Sequence, residues 1–255
     1  MKKTILIFLT QFIILSLYFN LFPFILPMND VFRFFHIILF FPIAYFVARV
    51  FSKGDIRIYG VVFYKGWGKN SLIGFIIGAF FWTILFGSYI ALGKYEILGF
   101  KSINESVFPM FAVLFGFGTG SLINDMLTRG LVFHHFKDKL SVPTVFVISI
   151  LLYAFDDVWY AGFSIQNTIF SIVLGLSLTY VFYKTNSIWV NTGIHFGLNV
   201  VYGLFYGVSG KPGDGIFMFK ETSTDVWFGW LSSLISIGIL VAVLMTTRYY
   251  TVYKK

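Results

Sequence analysis

Three long apolar segments of the chain carry polar side chains of the types that activate water, transfer protons or stabilise an oxyanion. These side chains are Asn124, Asp125 and Arg129 in the first segment, Asp156 and Asp157 in the second, and Asn191, His195 and Asn199 in the third. An ionisable side chain at the middle of a membrane-spanning helix costs about 2.5–3.5 kcal/mol on insertion scales. Such residues are therefore candidates for a functional site.

The spacing within these segments predicts which side chains share a helix face. Asp125 and Arg129 are four residues apart, and so are His195 and Asn199. Residues with this spacing are neighbours on a helix, so Asp125 and Arg129 are predicted to form a structural ion pair. Counted from the assumed helix ends, Asp125, Asp157 and His195 lie at depths that allow them to line one cavity. We expect this cavity to open to the cytoplasm.

The composition argues against several classes of protein. Of the 255 residues, 58% are hydrophobic and 12% are charged, whereas soluble proteins have about 25% charged residues. A chain of this length has no soluble core that could bury so much apolar surface. It has no cysteine, which leaves no disulfides, thiolate nucleophiles or thiolate metal sites. A soluble enzyme, a disordered protein and a secreted disulfide scaffold are all disfavoured.

The apolar runs predict an all-α fold, a polytopic membrane helix bundle with about eight transmembrane helices. A spanning helix needs roughly 20 mostly apolar residues. The predicted spans are 4–28, 31–51, 71–93, 107–128, 142–163, 166–183, 187–206 and 226–247. The first run is interpreted as a retained helix because no small-residue cleavage site of a signal peptide follows it. The chain, 1–255, is predicted to form a single membrane domain.

The basic residues predict the orientation of this bundle. With both termini in the cytoplasm, most of the 19 basic residues lie on the cytoplasmic side. The exceptions are Arg33, Lys94, Lys101, Lys211 and Lys220. This distribution agrees with the positive-inside rule, and we expect a multi-pass protein of the plasma membrane. Topology and the anionic headgroups of the lipid bilayer then explain the net charge of +8. A nucleic-acid partner is therefore not expected.

Pairs of glycines spaced four residues apart recur in the predicted helices. They are Gly74 and Gly78, Gly116 and Gly120, and Gly193 and Gly197. In lipid, this spacing lets two helix backbones approach closely. We interpret the pairs as helix-packing positions.

The three polar clusters resemble, in order and spacing, the motifs of the CPBP family of membrane-embedded proteases, also called the CAAX-protease and bacteriocin-processing or Abi family. The first motif, a Glu-Glu pair followed by Arg-Gly, reads Asn124-Asp125-Met126-Leu127-Thr128-Arg129-Gly130 here. The second, an aromatic residue shortly before a His, reads Tyr153-Ala154-Phe155-Asp156-Asp157. The third, a His followed four residues later by Asn or Asp, is intact in His195 and Asn199. The resemblance covers about residues 107–206.

The resemblance implies an intramembrane peptidase. In the family, the leading Glu of the first motif is taken to activate a water for attack on a peptide carbonyl. The His residues and the Asn are thought to bind that water, a metal or the developing oxyanion. Carried over, the catalytic roles fall on Asn124, Asp157, His195 and Asn199, with Asp125 and Arg129 as a structural pair.

Two of these positions depart from the family pattern. Asn124 cannot accept a proton at physiological pH, so it cannot be the general base that its position implies. Asp157, when ionised, only accepts hydrogen bonds, whereas an imidazole can donate. Two exchanges of role stay open: Asp157 is the base, or it orients His195 in that role. In either case the amides of Asn124 and Asn199 polarise the scissile carbonyl.

A divalent metal such as zinc is a further alternative. His195 with Asp157 and Asp125 would offer nitrogen and oxygen ligands compatible with such an ion. No cofactor is assigned on this evidence.

Three functions remain open at this point. The first is a peptidase that cleaves membrane-associated or lipid-modified peptides by water activation. The second is a catalytically inactive member of the same fold, which binds a peptide or acts as a bacteriocin-immunity protein. The third is a small transporter or channel that uses the buried carboxylates as a proton or cation path. The expected partners are the lipid bilayer and a membrane-associated peptide or protein.

Overall fold

A computed structural model describes residues 1–26, 29–161 and 163–254 of the chain. The side chains of residues 24, 30 and 157–161 lie outside the described part. Asp157, one of the predicted catalytic residues, therefore has a described backbone, within a helix, but its side chain lies outside the described residues.

The described residues form ten α-helices, several of which continue into one another. They are α1 (Lys2–Ser16), α2 (Phe22–Ile25), α3 (Asp30–Ser52), α4 (Trp67–Ala91), α5 (Ile103–Asp125), α6 (Leu131–Phe136), α7 (Val142–Ala161), α8 (Ile165–Thr185), α9 (Trp189–Tyr206) and α10 (Phe228–Thr246). Two π-helical turns, Leu17–Leu21 and Met126–Gly130, join α1 to α2 and α5 to α6. Short 3₁₀ helices lie at Ile56–Tyr59 and Thr247–Tyr249.

Six helical segments of the described chain are long and apolar enough to cross a membrane. They are Lys2–Leu21, Val31–Ser52, Trp67–Ala91, Ile103–Phe136, Ile165–Thr185 and Phe228–Tyr249. The described apolar part of α7 is shorter, at Val142–Asp156. Helix α9 is not among the six, and its His and Asn side chains lower its hydropathy. The all-α membrane bundle is thus confirmed, while the count of eight spans stays a prediction.

The segment that holds the first polar cluster is longer than predicted. Ser102 and Glu105 start α5 with a reciprocal capping box, in which each side chain accepts a hydrogen bond from the other residue's backbone N–H. The helical path then continues through the π-helical turn to Phe136, beyond the predicted end at 128. Arg129 therefore lies inside a continuous helical segment rather than at its end.

A two-stranded antiparallel sheet, which the sequence analysis did not predict, links two connections between helices. Strand β1 (Tyr95–Phe100) follows α4, and β2 (Phe217–Glu221) follows α9. Tyr95 pairs with Glu221 and Phe100 with Phe217. Alternate residues of β1 are more buried than their neighbours, as expected for a strand with one covered face. The sheet ties the α4–α5 connection to the α9–α10 connection.

Helix α9 is held against α4 by two of the predicted glycine pairs. A Cβ atom on Gly78 would lie 2.0 Å from the carbonyl oxygen of Ile194, and one on Gly193 would lie 2.2 Å from that of Ser71. Gly74 and Gly197 make equivalent close contacts with the opposite backbone. The two pairs therefore face each other, as small residues do where helices pack closely in lipid. In contrast, a Cβ atom on Gly120 would have no neighbour within 4 Å.

We expect Gly78→Ala to destabilise the protein because the new methyl group would overlap the backbone of α9. Overpacking of this kind costs about 1–3 kcal/mol. The matched control is Gly87→Ala on the same helix, where a Cβ atom meets nothing within 4 Å. Thermal unfolding in detergent should show a lower midpoint for Gly78→Ala only. Equal midpoints for the two variants would contradict the described α4–α9 contact.

Candidate functional site

The π-helical turn at Met126–Gly130 buries the charge of the first motif. The backbone N–H of Leu131 donates to the carbonyl of Met126, five residues earlier, which widens the turn. A Cβ atom on Gly130 would lie 2.0 Å from the carbonyl oxygen of Tyr59. Glycine at this position thus allows the 3₁₀ helix Ile56–Tyr59 to pack directly on the turn. Arg129, the preceding residue, has 0% of its surface exposed.

Arg129 is paired with Asp125 one helical turn earlier. Its Nη1 atom lies 2.7 Å from Oδ1 of Asp125, and both side chains are fully buried. Nη1 also donates to Thr128 Oγ1 at 2.8 Å. The guanidinium carbon lies 4.2 Å from the centre of the Tyr153 ring, a distance at which a cation is attracted to an aromatic face. The positive charge is therefore compensated by a carboxylate, a hydroxyl and a ring.

Asn124 connects this charge to a second carboxylate. Its Oδ1 atom accepts a hydrogen bond from Arg129 Nη1 at 3.3 Å, so its Nδ2 atom points the other way and donates to Oδ2 of Asp156. Oδ1 of Asp156 accepts from Nδ2 of Asn20 at 2.7 Å. Asp156, on α7, is 7% exposed. Each oxygen of this buried carboxylate is thus held by an amide from a different helix.

His195 lies on the other side of the Asp125 carboxylate. Oδ2 of Asp125 accepts a hydrogen bond from Thr192 Oγ1 at 3.0 Å and lies 3.9 Å from Nδ1 of His195. The His195 side chain is 12% exposed, and its ring meets the edge of Tyr153 with centroids 5.7 Å apart. Asp125 therefore faces Arg129 and His195 at the same time.

The remaining polar residues of α9 face α5 or lie in the interior. Asn199 donates from Nδ2 to Ser121 Oγ at 3.1 Å. Asn191 is buried, and neither polar atom of its side chain has a hydrogen-bond partner among the described residues.

The structure thus brings most of the predicted site residues to one region. Asn124, Asp125 and Arg129 of the α5–α6 segment are linked to α9 where Asp125 lies beside His195, and Asn199 contacts Ser121 of α5. The motif resemblance assigns the second-motif role to Asp157, whose side chain lies outside the described residues. The described contact with Asn124 is instead made by its neighbour, Asp156.

Several residues of the site were missed by the sequence analysis. Asn20 is the most distant, since it belongs to the first apolar run and no motif includes it. Its amide in a mostly apolar segment was the available signal. Thr192 and Ser121 carried no signal, because hydroxyl side chains are common in helix interfaces.

The described residues do not fit a metal site. No three His, Asp or Glu side chains are grouped to hold an ion in the ranges that the structure describes. Of the predicted ligands, Asp125 already uses one oxygen for Arg129 and the other for Thr192. The adjacent guanidinium would also repel a divalent cation. Asp125 is therefore better explained as the partner of Arg129 and Thr192, with His195 Nδ1 3.9 Å away, than as a zinc ligand.

Fold and site together define a multi-pass membrane protein with carboxylates, amides and an imidazole clustered between its helices. Residues 105–201 match the family described as Type II CAAX prenyl endopeptidase Rce1-like. The matched segment covers less than half of the chain but contains all three polar clusters. It confirms the resemblance to the CPBP family and supports an intramembrane peptidase as the kind of protein. A search of curated proteins and a search of solved structures found no match.

We expect Arg129→Met to destabilise the fold by about 3–5 kcal/mol, because it leaves the buried Asp125 carboxylate without its partner. The matched control is Arg57→Met. Arg57 and Asp55 form an ion pair of the same 2.7 Å length, but the Arg57 side chain is 72% exposed. The hydrogen bond from Arg57 lowers the pKa of the Asp55 carboxyl, yet exposed pairs contribute little to stability. Thermal unfolding should separate the two variants, and equal losses would contradict a buried charge at Arg129.

Proposed function

We propose that the protein is an intramembrane peptidase that cleaves membrane-associated or lipid-modified peptides by activating a water molecule at the described cluster. One observation supports this proposal in addition to the family match. Asn124 occupies the position of the family's leading Glu, and its amide touches a buried carboxylate supplied by α7. The carboxylate that water activation needs is thus present, but it comes from α7 instead of from position 124 on α5.

In this proposal the carboxylate of α7 is the general base. The described geometry favours Asp156, since its carboxylate is buried beside Asn124, while Asp157 remains the candidate from the motif alignment. The base takes a proton from water as the water oxygen attacks the peptide carbonyl carbon. The amides of Asn124 and Asn199 then donate hydrogen bonds to the negative oxygen of the tetrahedral intermediate.

His195 is proposed to complete the reaction. When the carbon–nitrogen bond breaks, the leaving amine needs a proton, and an imidazole is suited to donate one near neutral pH. Asp125, 3.9 Å away, would stabilise the charged ring and set its orientation. The carboxylate gains one proton and the imidazole loses one. Transfer of one proton from the carboxyl group to the imidazole through water therefore restores both groups.

The location of the reaction is also a proposal. The distribution of basic residues supports cytoplasmic termini and a site that opens to the cytoplasm. A plasma-membrane location agrees with this orientation, and a substrate anchored in the same bilayer would reach the site without leaving the membrane.

A second candidate function is a catalytically inactive member of the same fold, which binds a peptide or a bacteriocin. The replacement of the leading Glu by Asn124 favours it. In that case His195→Ala should leave the function largely intact, whereas bulky substitutions that fill the binding cavity should not.

We expect Asp156→Asn and His195→Ala each to lower the cleavage rate by about 100- to 10,000-fold, the range typical of lost acid–base catalysis. The measurement uses purified protein in liposomes with a lipid-modified peptide, followed by mass spectrometry of the products. Asp157→Asn tests the alternative base in the same assay. Asp138→Asn is the control, since Asp138 is an exposed carboxylate outside the cluster.

The outcomes separate the hypotheses. If only Asp157→Asn abolishes cleavage, the base lies one residue further along α7. If the unmodified protein binds the peptide but does not cleave it, the peptidase proposal fails and the binding function stands. Full activity in both Asp156→Asn and His195→Ala would also contradict the proposed mechanism.

A further inference from the structure

We propose that Asn20, on the first helical segment, is a positioning residue that holds the Asp156 carboxylate for catalysis. This inference rests on the proposed peptidase function. It assigns a role in the site to a part of the chain that lies far outside the matched residues 105–201.

The contact between Asn20 and Asp156 is buried and well defined. Asn20 is 2% exposed, and its Nδ2 atom donates to Oδ1 of Asp156 at 2.7 Å. The same nitrogen donates to Ser16 Oγ at 3.3 Å. Both hydrogens of the amide therefore have acceptors, which fixes its nitrogen toward α7.

The π-helical turn at Leu17–Leu21 brings Asn20 to this position. The backbone N–H of Phe22 donates to the carbonyl of Leu17, five residues earlier, which widens the turn at Asn20. Tyr18 and Phe22 contact α3, where the Tyr18 hydroxyl donates to the carbonyl of His36 and both rings stack on its imidazole. Asn20 is left to face α7. Wide turns of this kind are frequent at functional sites.

The chemistry of an amide suits a base that must stay ionised and reactive. A Lys or Arg beside Asp156 would form an ion pair and reduce the tendency of the carboxylate to take a proton. An amide does not titrate, and it supports the carboxylate through a hydrogen bond without adding a charge. With Asn20 on Oδ1 and Asn124 on Oδ2, the two amides fix the plane of the carboxylate.

The first test compares two substitutions on the same turn. Asn20→Leu removes the amide at similar volume, and Tyr18→Phe removes a hydrogen bond of that turn without touching Asp156. We expect Asn20→Leu to lower kcat about 10- to 100-fold, the equivalent of one hydrogen bond to a charged group, with KM unchanged. Tyr18→Phe should keep kcat within about two-fold of the unmodified value. Thermal unfolding of both variants, measured in parallel, reports any loss of folded protein.

A second variant separates the stabilising effect of this contact from the requirement for a carboxylate at position 156. Exchange of the two residues, Asn20→Asp with Asp156→Asn, restores an amide–carboxylate hydrogen bond but moves the carboxylate to the first helical segment. We expect this double variant to recover the unfolding midpoint relative to Asn20→Asp alone, while cleavage stays lost. Recovery of cleavage as well would contradict the requirement for a carboxylate at position 156 and, with it, the positioning role of Asn20.

A third measurement is independent of activity. It compares the unfolding midpoints of Asn20→Leu, Asp156→Leu and the double variant. We expect the loss in the double variant to be smaller than the sum of the two single losses, because the hydrogen bond between the residues can be removed only once. Additive losses would contradict the contact and overturn the inference.

Failure of this inference is distinguishable from failure of the proposed function. If the unmodified protein cleaves the peptide and Asn20→Leu cleaves it with the same kcat, the positioning role is wrong and the peptidase stands. If the unmodified protein does not cleave, the proposed function fails, and the positioning role fails with it even when the unfolding midpoints show that the two residues interact.

Discussion

The burial of Arg129 is the constraint on which the site depends. A guanidinium stays charged at every relevant pH, and taking such a charge out of water costs several kcal/mol unless partners surround it. The chain provides Asp125 and Thr128 from the same segment and the ring of Tyr153 from α7. Gly130 then allows the 3₁₀ helix to close over the turn. These contacts fix how α5 and α7 meet.

The same atoms that compensate the charge also orient the proposed reacting groups. Arg129 donates to Oδ1 of Asn124, which turns the amide nitrogen toward Asp156. The second oxygen of Asp125 lies beside His195. A change at Arg129 would therefore disturb the carboxylate and the imidazole together. The close glycine contact between α4 and α9 adds a further constraint, since it sets the position of the helix that carries His195.

Local spacing was the part of this arrangement that the sequence could predict. The four-residue intervals indicated which side chains share a face, and the apolar runs indicated the membrane bundle. The contact between Asn20 and Asp156 joins positions 136 residues apart, and nothing in local spacing encodes such a pairing. The choice between Asp156 and Asp157 depends on the rotation of α7, which neighbouring helices determine. The sheet was missed because its short strands lie in the connections between helices, and its paired residues are also far apart in the sequence.

The central proposal is that the catalytic carboxylate, which the family's first motif supplies from the α5 position, is supplied by α7 in this protein, with the amide of Asn124 beside it. The most direct measurement is the cleavage rate of the Asn124→Glu, Asp156→Asn double variant beside that of Asp156→Asn alone. The account predicts a slow single variant and a faster double variant, because the second change returns a carboxylate to the same contact. Undiminished cleavage by the single variant, or no recovery in the double variant, would contradict it.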